Sequence, residues 1–243
     1  MSQRRQLATD SGQRPDLPDW TLVLQLPAAS LRRWWIAMGS AGAFIALAVS
    51  VNLGLLNTFD SILREWARPD DVWGTSQIRA VYVVEGLRPA VLLCLVAAYT
   101  VVFCVIRRSL RPVLFVGGVG LMTGALTVAA KTAVGRPDTH GTIAGSHGGS
   151  FPSGHTIGVI VCLGLAVLVT QPRARWWVWL IPAFAGGLMG ISLMLQAGHW
   201  STDIVGGALL ATAVLAGASA SGWDRWSQGG PAGNPSHRRW RQP

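Results

Sequence analysis

The 243-residue chain has the composition of a membrane protein, because half of its residues are hydrophobic, only 13% are charged and the mean hydropathy is +0.38. Its net charge of +9 comes from short basic clusters between apolar segments, a pattern that indicates membrane topology and argues against a nucleic-acid-binding protein. The three cysteines lie inside apolar segments without the spacing of a metal site, so they do not indicate a redox compartment.

Uncharged apolar segments predict six transmembrane helices. The first, Trp34 to Phe59, exceeds the roughly 20 residues that a helix needs to cross the hydrocarbon region, and it has no clear signal-peptide cleavage site. Residues 60–88 carry many charges and are compatible with a short interfacial helix. The other predicted spans are 89–106, 112–130, 156–172, 176–198 and 204–223. We therefore expect an all-α, six-span domain over residues 34–223, between largely disordered cytoplasmic tails at 1–33 and 224–243.

The basic residues predict the orientation of these spans. With the N-terminus in the cytoplasm, six basic residues fall outside (Arg64, Arg68, Arg79, Arg88, Lys131 and Arg136) and the other fourteen of the 20 fall inside. Because positively charged loops stay in the cytoplasm, we expect both termini there. The protein is then expected in a bacterial inner membrane.

Three groups of polar residues stand at span ends that this topology places on the non-cytoplasmic side. Lys131 follows the third span, and Phe151-Pro152-Ser153-Gly154-His155 connects a glycine-rich loop to the fourth. His199 and Asp203 are four residues apart, hence on one helical face, before the sixth. With Ser153 as the predicted N-cap, the free N–H groups and the dipole of the fourth span would favour a phosphate.

Together with Ser192, these groups resemble the three signature motifs of the type 2 phosphatidic acid phosphatase family, whose superfamily includes the vanadium haloperoxidases. The resemblance extends over residues 34 to 220 and implies a six-span fold with its active site at the outer membrane face. Two arginines of the family pattern are displaced or absent. Asp138-Thr139 stands where the first motif has Arg-Pro, although Arg136-Pro137 lies two positions earlier, and Leu193 replaces the arginine that follows the serine of the third motif.

The resemblance implies a role for each remaining residue. His199 would attack phosphorus to form a phosphohistidine, Asp203 would orient its ring, and His155 would protonate the leaving oxygen and then activate water. Phosphate oxygens would be bound by Lys131, Arg136, Ser153 and Gly154, with Arg88 as a reserve cation. These roles require neither a cofactor nor a metal.

The expected function is hydrolysis of a lipid phosphate or polyprenyl diphosphate among the membrane lipids. Two alternatives are a catalytically degenerate member that binds lipid phosphates, favoured by the missing arginines, and a lipid phosphotransferase. A third is a zinc-type site in which His140 and His147 join His155, His199 and Asp203. The sequence does not indicate an oligomeric state.

Overall fold

The computed structural model describes residues 28–143, 149–171 and 175–229, and these ranges fold into helices without strands. The helices are α1 (Ala28–Asn52), α2 (Asn57–Ala67), α3 (Thr75–Gly86), α4 (Pro89–Arg107), α5 (Arg111–Val134), α6 (Gly154–Thr170), α7 (Leu180–Leu195), α8 (Ser201–Ala220) and α9 (Trp223–Ser227). Short 3₁₀ segments at Pro69–Asp71 and Trp176–Trp179 precede α3 and α7. The expected all-α fold is confirmed.

Within the described ranges, five helical segments are long and apolar enough to cross a membrane: Ser30–Asn52, Thr75–Arg107, Arg111–Val134, Trp176–Leu195 and Ser201–Ala220. The chain is therefore a multi-pass membrane protein. The predicted span at 156–172 corresponds to α6, which is apolar but has only 17 residues. Since α6 packs against α4, α7 and α8, protein rather than lipid surrounds most of its length.

Some predicted boundaries differ from the structure. The first span was expected to reach Phe59, but α1 ends at Asn52, the chain turns at Gly54 with φ 70°, and Phe59 belongs to α2. The predicted tails are partly helical, since α1 begins at Ala28 and α9 follows residue 222. The rest of both tails lies outside the described residues.

The core of the bundle lies around α6. Leu165 and Leu168 of α6 pack with Phe115 and Val119 of α5 and with Leu215 of α8. Close packing in membranes relies on small residues, because they let helix backbones approach one another. The described helices use glycine in this way where α7 meets its neighbours: a Cβ at Gly186 would lie 2.4 Å from Ile160, and one at Gly190 would lie 2.4 Å from Ile204.

Helices α4 to α8 alternate in direction through the bundle. The ends of α5 and α7 and the starts of α4, α6 and α8 therefore lie at one end of the molecule. That end carries Lys131, His155 and His199, as the sequence motifs predict, and also Arg88.

Candidate active site

A cavity of about 590 Å³ opens at this end of the bundle. Among the described residues, its lining includes two histidines, two basic side chains and one carboxylate, in addition to backbone and apolar surface. Its lining residues are Arg88, Pro89, Ala90, Lys131, Asp138, Gly149, Ser150, Gly154, His155, Gly198 and His199.

The rings of His155 and His199 face each other across the cavity. Their centroids are 6.3 Å apart and their planes are inclined by 66°. The two residues lie 44 positions apart in the chain, one in the first turn of α6 and the other just before α8. One small group bound in the cavity can therefore contact both imidazoles.

Asp203 fixes the orientation of His199. Its side chain is completely buried, and Oδ2 lies 3.2 Å from His199 Nδ1. A carboxylate at this position favours the tautomer with a proton on Nδ1, because Nδ1–H can then donate to it. That tautomer leaves Nε2 with the free lone pair. Oδ2 also accepts a hydrogen bond from the N–H of Trp200 at 3.1 Å, which ties the carboxylate to the start of α8.

The first turn of α6 rests directly on α8. The N–H of Ser153 donates to the carbonyl oxygen of Asp203 at 2.9 Å, so the residue before α6 is bound to the residue that orients His199. Gly207 allows this approach, since a Cβ there would lie 2.9 Å from the carbonyl oxygen of Ser153. These contacts position His155 relative to His199.

Lys131 reaches the cavity from the last turn of α5. Its Nζ donates to the carbonyl oxygen of Gly149 at 2.9 Å and to that of Ser150 at 3.3 Å. An ammonium group has three N–H donors, so one remains for a ligand in the cavity. Gly149 has φ 57°, and a Cβ there would lie 2.7 Å from the backbone nitrogen of Arg136. The loop therefore requires glycine next to Lys131.

Arg88 is the second basic side chain of the cavity, and it comes from outside the three motifs. It stands between α3 and α4, where Pro89 begins the new helix. Its Nη2 donates to Glu85 Oε1 at 2.7 Å, and both side chains are about half exposed. Exposed ion pairs contribute little to stability, so this one can exchange its carboxylate for another anion at small cost.

Two residues that the motifs assigned to phosphate binding do not line the cavity. Arg136 is buried, and its guanidinium binds Asp60 and Asp203, at 2.6 and 2.9 Å. Ser153 is also fully buried, where its Oγ accepts the N–H of Thr156 at the start of α6. The expected capping role of Ser153 is present. Its own N–H is committed to Asp203, so neither its hydroxyl nor its N–H faces a ligand in the cavity.

The two positions that depart from the family pattern have clear surroundings. Leu193 is buried in an apolar cluster with Val159 and Met189, where a guanidinium would lack partners. Asp138 lines the cavity, and it accepts hydrogen bonds from the N–H groups of His140 and Thr142, both at 2.9 Å. Burial tends to raise the pKa of Asp138, but the hydrogen bonds from Thr142 and His140 bring it below its usual value. A negative charge therefore stands at the cavity where the family has a positive one.

The residues of the zinc alternative are only partly described. His147 lies outside the described residues, and His140 does not line the cavity. Among described residues, histidine, cysteine, aspartate and glutamate form no group of three that could hold a metal ion.

Comparison with known proteins gives a similar fold and a match to one family model. The chain is similar in fold to the crystal structure of the first transmembrane PAP2 type phosphatidylglycerolphosphate phosphatase from Bacillus subtilis, with a TM-score of 0.61, 18% identity and coverage of 85% of this chain and 100% of that chain. This likeness assigns the membrane-embedded PAP2 fold. Residues 112–227 match the family model of the PAP2 superfamily, and no curated protein matches significantly.

The family-model match and the similar fold together support an assignment of the chain to the type 2 phosphatidic acid phosphatase family. The matched segment includes Lys131, His155, His199 and Asp203, whereas Arg88 and Asp60 precede it. The match to this family model supports a phosphatase activity. The resemblance expected from the motifs is thus confirmed, while the roles of individual residues remain predictions.

Proposed function

We propose that the protein is a membrane phosphatase that hydrolyses a lipid phosphate or diphosphate through a phosphohistidine, without a metal. The observation that carries this proposal is the pairing of His155 and His199 across one cavity, with Asp203 buried behind His199. One imidazole is oriented as a nucleophile, and the other is free to transfer protons. A double displacement needs these two functions.

In the first step His199 Nε2 attacks phosphorus, a phosphorus–nitrogen bond forms and the bond to the leaving oxygen breaks. His155 gives its proton to that oxygen. In the second step His155 takes a proton from water, whose oxygen attacks phosphorus. The phosphorus–nitrogen bond then breaks, which releases phosphate and restores the free lone pair of His199. Throughout both steps Asp203 accepts the hydrogen bond from Nδ1–H of His199 and stabilises the charge on the ring.

The phosphate oxygens are bound by Lys131, Arg88 and the backbone at the start of α6. The N–H groups of Gly154 and His155 belong to the first turn, so they have no acceptor within the helix and carry its positive dipole end. Arg88 supplies a guanidinium in place of the arginines of the family pattern, whose positions hold Asp138 and Leu193 in this chain. Three kinds of donor thus surround a transferring phosphoryl group, whose charge spreads over three oxygens.

The position of the cavity favours a substrate with a lipid tail. Pro89 and Ala90 form an apolar part of its lining, and exposed Val91 and Leu93 continue α4 toward the middle of the bundle. A phosphate headgroup can enter the cavity while its acyl or prenyl chain stays along this helix. The phosphatidylglycerolphosphate phosphatase named above is a protein of similar fold whose substrate has this character.

The function is tested by phosphate release from purified protein in EDTA. Phosphatidate, phosphatidylglycerol phosphate and a polyprenyl diphosphate are supplied in separate detergent assays. We expect turnover of at least one, and its loss in His199→Ala. His140→Ala is the matched control, since His140 lies outside the cavity, and it should keep the wild-type rate. Inhibition by EDTA with loss of activity in His140→Ala would support the metal alternative, and no turnover by wild type would support the degenerate one.

The roles of the two histidines separate in a trapping experiment. With a radiolabelled aryl phosphate, whose leaving oxygen needs no proton, His155→Ala should still form the phosphoenzyme and should hydrolyse it slowly. His199→Ala should form none. Equal labelling of both variants would contradict the assignment. An alcohol acceptor added to wild type distinguishes hydrolysis from phosphotransfer, because a phosphotransferase would give a phosphorylated alcohol instead of free phosphate.

A further inference from the structure

Behind the cavity lies a buried network of charges that the catalytic motifs do not predict. Arg136 bridges two carboxylates whose side chains are completely buried: Nη2 donates to Asp60 Oδ2 at 2.6 Å and Nη1 donates to Asp203 Oδ1 at 2.9 Å. Asp60 belongs to α2, 143 positions before Asp203 in the chain. The network therefore links a helix outside the matched family segment to the residue that orients His199.

Asp60 also binds the start of α8. Its Oδ1 accepts the N–H of Thr202 at 3.0 Å and the hydroxyl of Ser201, and its Oδ2 accepts the hydroxyl of Thr202. A carboxylate at a helix N-terminus is stabilised by the free N–H groups and the dipole. Burial tends to raise the pKa of Asp60, but the bonds from Ser201, Thr202 and Arg136 bring it below its usual value, so Asp60 is ionised at neutral pH.

Every oxygen of Asp203 is committed as well. Oδ1 binds Arg136, while Oδ2 binds His199 and the N–H of Trp200. Arg136 cannot turn away, because Thr202 Oγ1 accepts from its Nη1 at 2.7 Å and its Cζ lies 5.1 Å from the centre of the Trp200 ring. The orientation of His199 thus depends, through Asp203 and Arg136, on Asp60.

We propose that Asp60 is a positioning residue for His199 and sets the charge behind it; this inference rests on the proposed nucleophilic role of His199. Asp60, Arg136 and Asp203 together carry one net negative charge. A negative charge near an imidazole favours its protonated form, so a change in the charge of this network should change the proton affinity of His199. If Asp60 is neutral, Arg136 offsets Asp203 fully and His199 becomes less basic. If Arg136 is neutral, two carboxylates remain and His199 becomes more basic.

Other charged or titratable groups face His199 from every side of the cavity. In the described part of the chain they are Arg88 at the start of α4, Lys131 of α5, Asp138 of the following loop and His155 of α6. None of them is changed in the variants below, so a shift between variants reports the network alone.

The test compares wild type, Asp60→Asn, Arg136→Gln and the double variant by the pH dependence of kcat/KM for phosphate release. The acid limb of the kcat/KM profile, where activity rises with pH, reports deprotonation of the nucleophile in the free enzyme. We expect this limb to move to lower pH in Asp60→Asn, to higher pH in Arg136→Gln, and to return near its wild-type position in the charge-balanced double variant. In Asp60→Asn, kcat should fall about tenfold or more while KM changes less than about threefold.

Asp224→Asn is the matched control for lost stability. Asp224 is also completely buried, accepts a hydrogen bond from Ser219 and pairs with Arg33, but it lies at the opposite end of the bundle. Its variant should lower Tm without moving the acid limb. The proposal would be overturned if the acid limb lay at the same pH in wild type, both single variants and the double variant. It would also be overturned if both single variants shifted the limb in the same direction.

Two further measurements keep the inference testable on its own. If Asp60→Asn does not fold, comparison of Arg136→Gln with the double variant still isolates the Asp60 charge. The acid limb of the double variant should lie at lower pH than that of Arg136→Gln. If wild type shows no turnover, the proposed function fails while the inference is tested by NMR titration of ring-labelled histidine, with His199 assigned from His199→Ala. The same signs of shift are expected there, and an unshifted His199 would overturn the inference.

Discussion

Arg88 presents its guanidinium in the cavity, where it is held by Glu85 rather than by a buried network. We predict that Arg88→Ala lowers kcat/KM by about ten- to a hundredfold, the scale for losing a charged donor to a transferring phosphoryl group. The fall should come from both kcat and KM, because a cation binds the ground state as well as the transition state. Steady-state phosphate release measures both.

Arg79→Ala is the control for Arg88→Ala. Arg79 is an exposed arginine of α3 that does not line the cavity, so its removal changes the net charge equally and should leave the rate unchanged. Glu85→Gln should lower KM, since it removes the carboxylate that competes with phosphate for Arg88. An unchanged rate in Arg88→Ala would mean that Lys131 and the start of α6 suffice as phosphate donors.

At the residue level, the sequence predicted those cavity residues for which a motif specifies both the residue type and its place at the end of a span. Lys131, His155 and His199 line it, and Asp203 lies behind His199 as expected. The phosphate-binding role predicted for Arg136 lacks support from the geometry, because its two buried carboxylate partners are distant in the chain. Asp60 stood among many charges of residues 60–88, and no local pattern distinguished it. Long-range pairing of this kind depends on the fold.

At the level of elements, the contact between α6 and α8 determines the distance between the two histidines. We predict that Gly207→Ala lowers kcat at least about tenfold, because its Cβ would lie 2.9 Å from the carbonyl oxygen of Ser153 and 3.2 Å from Thr156 Cβ. Either α6 moves away, with His155, or the bond from Ser153 to Asp203 weakens. Displacements of this kind are costly for catalysis, since reacting groups must be aligned closely.

Gly217→Ala is the control on the same helix. The added Cβ meets only Ala37 Cβ at 4.0 Å, an ordinary contact, so activity should not change. Alanine also has a higher helix propensity than glycine, by about 1 kcal/mol, which favours an equal or higher Tm. A fully active Gly207→Ala would show that the approach of α6 to α8 tolerates an extra methyl group.

The apolar segments predicted where the long helices lie, because an uncharged stretch of sufficient length has few alternatives in a membrane. They did not predict where α1 ends. Apolar residues continue past Asn52, and only the positive φ of Gly54 and the new helix at Asn57 separate α1 from α2. Residues 60–88 were compatible with a short interfacial helix, and they contribute most of α2 and all of α3. Break positions depend on packing that hydropathy does not record.

On the scale of the whole molecule, α2 connects an exposed apolar surface to the network behind the cavity. Its exposed face carries Phe59, Ile62 and Trp66, while Asp60 is buried on the opposite face. Apolar side chains at this spacing form one stripe, as in helices that lie in a membrane interface. The same helix therefore presents an apolar stripe on one side and holds Arg136 on the other. We therefore expect the cavity to lie at the level of the lipid headgroups.

The orientation of the molecule is the remaining prediction, because six spans with both termini in the cytoplasm place this cavity outside. Thr75 lies at the cavity end and Gln171 at the other end, both are exposed, and cysteine at either position leaves the basic loops unchanged. In intact bacteria a membrane-impermeant maleimide should label Thr75→Cys and should label Gln171→Cys only after lysis. A reporter fused after Pro243 should be active only in the cytoplasm. Labelling of the parent protein gives the background from Cys94, Cys104 and Cys162, of which Cys94 is exposed on α4.

Labelling of Gln171→Cys in intact cells, with an inactive cytoplasmic reporter, would reverse the topology and place the cavity inside. The positive-inside rule makes that outcome unexpected, since fourteen of the 20 basic residues would then have to lie outside.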